Sequence, residues 1–147
     1  MKKRVVVAGT FDILHPGHVY LITEAMKLGE VIVVVARDNN VLSIKNRPVV
    51  IPEEQRRFMV EALKGVSRAV LGYEGSDPLR IIEELHPDFL LLGPNQKVSL
   101  EEVQKELQKR GLITEVLRLN VLYDEFPLSS SSLILQKASS IIREPES

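Results

Sequence analysis

Apolar residues fall along this chain in two alternating styles. Short, nearly unbroken runs rich in Val, Ile and Leu recur at Val5–Ala8, Val31–Ala36, Ala69–Leu71 and Phe89–Leu92, with a weaker one at Thr114–Leu119. They are too short for buried helices and do not alternate with polar residues, which is the pattern of strands covered on both faces. Between them apolar positions return at helical spacing over Gly17–Leu28, Glu53–Leu63, Pro78–Leu85 and Leu100–Lys109, and again from Ser130 to Ile142. The polar stretch Asp38–Arg47 predicts a loop. The order βαβαβαβαβα predicts an α/β domain, a doubly wound five-stranded parallel sheet of order 3-2-1-4-5 with helices on both faces.

Composition limits the possibilities further. The chain has 147 residues, 19 Lys plus Arg against 20 Asp plus Glu, and a formal net charge of −1. A single domain of this length buries roughly 68–70% of the surface that its unfolded chain exposes, enough for a core without staples. Residues 1–142 are assigned to that domain and 143–147 to a polar tail. The charge balance argues against a nucleic-acid partner but leaves room for a local basic pocket. Cys is absent, which removes disulfides, thiol nucleophiles and CxxC zinc sites, and the three His stand at 15, 18 and 86. The basic start runs into an apolar stretch too short for a secretion signal or a membrane span, so a soluble cytoplasmic protein with no membrane partner is expected.

In open parallel sheets ligands bind beyond the carboxyl ends of the strands, where the strand order reverses. The turns there read Gly9-Thr10-Phe11-Asp12 after the first strand and Gly93-Pro94-Asn95-Gln96 after the fourth. The first continues as Ile13-Leu14-His15-Pro16-Gly17-His18. Pro16 suits the first turn of a helix, and His15 and His18, three apart, share one face of it. Free N–H groups and the positive end of the helix dipole are expected at the same spot, a ready anion site to which two imidazole donors are added. A metal site of His-x-x-His type would need a third ligand that the neighbouring sequence does not offer.

Gly9-Thr10-Phe11-Asp12 followed by His15-x-x-His18 resembles the signature of the cytidylyltransferase-like nucleotidyltransferases, a family with a Rossmann-like fold. The resemblance runs from about Lys3 to the last helix. Val35-Ala36-Arg37-Asp38, the stretch from Arg47-Pro48 to Arg56-Arg57, and Leu92-Gly93-Pro94-Asn95-Gln96 resemble most the archaeal FAD synthase branch. The resemblance implies an Mg²⁺-dependent enzyme in which the phosphate of FMN attacks the α-phosphate of ATP and pyrophosphate leaves. His15 and His18 would hold the triphosphate and stabilise the charge that develops, with Gly9, Thr10 and the Phe11 N–H as further phosphate contacts. A homodimer is implied as well. Two other readings stand beside this one: a CTP-dependent cytidylyltransferase acting on glycerol 3-phosphate or another small phosphoalcohol, and an ATP-binding sensor without turnover.

The supporting residues each carry an alternative. Lys45, with Arg47, would bring a cation from the expected loop to the triphosphate or else be solvated charge. Arg56 and Arg57 oppose the dipole of the helix they open, so one calls for an anionic partner, either the substrate or Glu53 or Glu54. The resemblance selects Arg56 and Lys45 as catalytic. Gly93 and Asn95, with Gln96, would read a nucleobase edge or simply form a turn. Ser130 and Ser131 cap the last helix and would take triphosphate oxygens, although Asp124-Glu125-Phe126-Pro127 stands where relatives carry basic residues. Asp12 would hold the first turn or Mg²⁺. Arg37 is expected to pair with Asp38 or a neighbouring loop. Phe11, Tyr20, Tyr73, Tyr123 and Phe126 are the stacking candidates.

Overall fold

The computed structural model describes residues 2–143. Among them the order is β1 (Arg4–Gly9), α1 (Pro16–Met26), β2 (Glu30–Val35), α2 (Asp38–Lys45), α3 (Glu53–Glu61), β3 (Val66–Leu71), α4 (Arg80–Leu85), β4 (Phe89–Leu92), α5 (Leu100–Lys109), β5 (Glu115–Arg118) and α6 (Ser131–Arg143). The strands form one sheet of order β3-β2-β1-β4-β5, every pair parallel. The apolar runs end up where their composition requires, with Val5, Val6 and Val7 and all of Val31–Val35 buried.

Successive residues of a strand face opposite sides, so the sheet divides its core in two. Val5, Val7, Val31, Val33 and Leu91 pack with Leu21 and Ala25 of α1 and Val60 of α3. Val6, Ile32, Val34, Leu90 and Val116 pack with Ile82 and Leu85 of α4 and Leu107 of α5. The start of α1 and the turns after β1 and β4 are thereby set at one edge of the sheet.

One element departs from the pattern reading. Residues 38–45 form helix α2 rather than a loop. Val41 is its one buried residue, so it shows almost no apolar periodicity, and Asn46 closes it in the left-handed region at φ 56. The helix is held from outside: Glu53 accepts from the Asp38 N–H, and Arg56 bonds the Asp38 carboxylate. Strand β3 begins at Val66, earlier than Ala69, because the polar, exposed Ser67 and Arg68 interrupt the apolar run on this edge strand. Helix α6 includes Arg143, and the rest of the tail, 144–147, lies outside the described residues.

Candidate active site

The chain leaves β1 at Gly9 and turns through Phe11, which adopts φ 53 and buries its ring. A Cβ on Gly9 would lie 3.0 Å from that ring. The ring is then 5.0 Å from the imidazole of His18. Phe11 is thus part of the core, and its ring is not an open stacking face.

His15 and His18 form a reciprocal cap on α1. His15 is the N-cap residue, and its Nδ1 accepts from the Gly17 N–H at 3.0 Å, while Nδ1 of His18 accepts from the His15 N–H at 3.3 Å. A neutral imidazole whose Nδ1 accepts must carry its proton on Nε2. Both rings therefore carry their donor N–H on Nε2, with their centroids 3.8 Å apart. Burial is the main cause that holds His18 neutral, with His15 and Lys45 adding to it, and its pKa is brought down to about 3. Burial lowers His15 as well. The site thus presents two uncharged donors at the positive end of a helix dipole, which suits an anion.

The expected free N–H groups at the helix start are not free. Pro16 has none, Gly17 is capped by His15, and the N–H groups of His18 and Val19 reach the His15 carbonyl. The imidazole Nε2 groups replace them as donors. Gly17, which spacing alone did not single out, makes this possible: a Cβ there would lie 2.8 Å from Cε1 of His15, closer than real atoms approach.

Around this cap the backbone is braced. Both Asp12 carboxylate oxygens accept N–H bonds, Oδ1 from Val50 and Ile51 and Oδ2 from Val50, at 2.8–3.1 Å. Its side chain holds the 50–51 segment against the turn after β1. Arg56 is buried, and Nε donates to the Ile51 carbonyl, Nη1 to the Thr10 carbonyl and Nη2 to Asp38. Its anionic partner is therefore Asp38, neither Glu53 nor Glu54. Glu53 instead bridges Arg37 and the Asp38 N–H, and Arg37 also donates to the Gly72 carbonyl. Arg57 pairs with Glu54 and Glu61 and stays out of the site. Lys45, at the end of α2, is exposed. Partial desolvation and then Arg47 draw its ammonium below the ordinary lysine range, Asp12 opposing them and Arg56 adding to them.

The comparisons bear directly on this arrangement. A family model described as cytidylyltransferase-like matches residues 6–136. The chain belongs to the cytidylyltransferase-like family. It is similar to the FAD synthase of Aciduliprofundum boonei, 46% identical over 91% of this chain and 89% of that one. It is 50% identical to the FAD synthase of Archaeoglobus fulgidus, over 88% of this chain and 92% of the relative. A solved structure, the lipopolysaccharide core biosynthesis protein from Thermoplasma volcanium GSS1, superposes with a TM-score of 0.80 at 38% identity, covering 84% of this chain and 100% of that one.

In this cytidylyltransferase-like chain the second turn is tied to β1 and α6 to the first turn. Gln96 is a clamp: its Oε1 accepts from the Gly93 N–H at 2.7 Å and its Nε2 donates to the Ala8 carbonyl at 3.0 Å, joining the ends of β4 and β1. Its amide is spent on the protein, which leaves exposed Asn95 as the free amide of the turn. Ser131 donates to the Ile13 carbonyl at 3.0 Å, and Ser130 accepts from the Leu133 N–H at 3.2 Å, so the start of α6 is docked on the turn that carries His15. Of the aromatic candidates, Tyr73 lies with Arg80 and Glu84, while Tyr20 stacks on Tyr123 at 4.9 Å with Phe126 beside it. Gly17, Asp38, Glu53 and the clamping role of Gln96 were not legible from spacing.

Proposed function

We propose that this nucleotidyltransferase is a FAD synthase, transferring AMP from ATP to FMN. The observation that carries the reading is the reciprocal imidazole cap, which aims two neutral N–H donors from the phosphate turn of a chain with FAD synthase relatives. An oxygen of the FMN phosphate forms a bond to the α-phosphorus of ATP as the bond to the β-phosphate oxygen breaks, giving FAD and pyrophosphate. Such a transfer asks for positioning and for donors where charge grows. His15 and His18 supply the donors through Nε2. The attacking group is already a phosphate, so no strong general base is required.

Lys45 adds a cation from α2, and Gly9, Thr10 and the Phe11 backbone line the approach. Gly93 shapes the turn from which the exposed Asn95 amide reads the base, and Ser130 and Ser131, whose groups retain hydrogen-bonding capacity beyond their internal bonds, complete the phosphate side. Arg56 contributes as a positioning residue, through Thr10 and Asp38. Mg²⁺ enters as part of the nucleotide substrate: Asp12 is engaged by two N–H groups, and among the described residues no three His, Cys, Asp or Glu side chains group as a metal site. Mg²⁺ generally keeps substrate phosphates and water as ligands. A homodimer and a cytoplasmic location complete the proposal; among the described residues no helix is long and apolar enough to cross a membrane.

The test is pyrophosphate release by the purified protein with Mg²⁺, pairing ATP and CTP each with FMN and glycerol 3-phosphate. Release with ATP and FMN, with FAD as product, is expected. Release only with CTP discards the flavin reading, and nucleotide binding without release in any pairing discards the enzyme reading. Light scattering gives the oligomeric state.

A further inference from the structure

Arg118 ends β5 in register with Leu92, the last residue of β4. It therefore stands at the carboxyl edge of the sheet, next to the turn that begins at Gly93. Its Nη2 donates to the Val98 carbonyl, tying the end of β5 to the segment that leads into α5. Two features bear on its role, the first of them found at no other side chain among the described residues. Its Nε is buried without a hydrogen-bond partner. Among the described residues it also has no carboxylate at ion-pair distance, as is true of Arg4, Arg47, Arg68 and Arg80, whereas buried Arg56 has Asp38. Asp124 and Glu125, the acidic residues that follow it most closely, form no ion pair with it, and Glu125 accepts instead from Tyr123.

A guanidinium partly withdrawn from water with neither counter-ion nor full hydrogen bonding is costly. At Arg56, the buried arginine, that cost is relieved by Asp38. At the ligand edge the group that can relieve it is the ligand, and a planar fork of N–H donors matches phosphate oxygens closely. The placement also balances the site. In the order β3-β2-β1-β4-β5 the helix carrying Lys45 follows β2 and Arg118 ends β5, so the two cations lie on opposite sides of the turn after β1.

We propose that Arg118 is a phosphate-binding residue for the nucleoside triphosphate, holding the β- and γ-phosphates that depart together as pyrophosphate. It rests on the nucleotidyltransferase reading but not on the identity of base or acceptor. The experiment is calorimetric titration of the wild type, Arg118→Gln and Arg118→Lys with ATP, AMP and pyrophosphate in the presence of Mg²⁺. Loss of the charged fork is expected to weaken ATP and pyrophosphate at least about tenfold and AMP less than about threefold, with Arg118→Lys between the wild type and Arg118→Gln. Unchanged ATP and pyrophosphate affinity would overturn the proposal. So would AMP weakened as much as ATP, which would mean that Arg118 only supports the Gly93–Val98 segment. If Arg118→Gln does not fold, the comparison of Arg118→Lys with the wild type decides on the same criteria. A wild type that binds pyrophosphate but makes no FAD would sink the FAD synthase reading and leave this one standing. A wild type that binds neither ATP nor pyrophosphate overturns both.

Discussion

Lowering the pH from 7 to 5 should destabilise this protein through His18. In the folded chain the group has a pKa of about 3, against an ordinary value of 6.5. Between those two values the unfolded chain binds more protons than the folded one, so stability falls as the pH falls. The contribution is fully present above the unfolded pKa and is exhausted near the folded one. Going from pH 7 to pH 5 through an unfolded pKa of 6.5 removes about 2 kcal/mol on this account alone. His15, lowered by burial, acts in the same direction. The structural cause is specific: protonating Nδ1 of His18 destroys its acceptance of the His15 N–H and places a charge against the Phe11 and His15 rings. Urea unfolding of the wild type and His18→Ala at pH 5, 6 and 7 isolates the group, because other titrations cancel in the difference. The wild type should lose about 1–2 kcal/mol more than the variant over this range. Proton NMR should show His18 uncharged throughout. A His18 midpoint near 6.5, or a difference between the two proteins that does not change with pH, would refute the neutral-donor account.

Four further outcomes follow from the same geometry. His18→Ala should cut turnover by at least about 100-fold with the fold intact, the usual cost of losing one transition-state donor; near-wild-type pyrophosphate release would remove its catalytic role. Gly17→Ala should displace the His15 ring, since its Cβ would lie 2.8 Å from Cε1, and lower kcat about 10-fold or more while ATP affinity changes less. Steady-state kinetics separates the two quantities. Arg56→Leu should cost about 2–4 kcal/mol in denaturant unfolding, because it leaves the Thr10 and Ile51 carbonyls and Asp38 without their donor; a loss under 1 kcal/mol would mean that water replaces it. Arg118→Gln should separate pyrophosphate from AMP affinity, as calorimetry will show.

Much of this protein was legible in its one-dimensional pattern. Strands buried on both faces must be apolar throughout, so Val31–Val35 announced themselves, and strand–helix alternation with right-handed crossovers leaves few sheets to choose from. The turn between β1 and α1 was legible for a similar reason: Gly9 to His18 is one continuous segment, and a strand, a turn and a helix start are local objects. What depends on distant partners was not. Helix α2 buries one residue and is fastened by Glu53 and Arg56, so its own sequence reads as a loop.

The helix-start argument left the substrate, Glu53 or Glu54 as the anion for Arg56 or Arg57, and only folding shows that Asp38 supplies it to Arg56 from 18 residues away. Gln96 and Asn95 are adjacent amides of the same chemistry, yet the end of β1 claims one and leaves the other exposed. Tertiary structure likewise gave Asp12 to the backbone of Val50 and Ile51 and, among the described residues, left the buried Nε of Arg118 without a hydrogen-bond partner. Sequence determines what each residue can donate, accept or bury. Which of those capacities are already satisfied, and which remain for a ligand, is decided only when the chain brings its distant segments together.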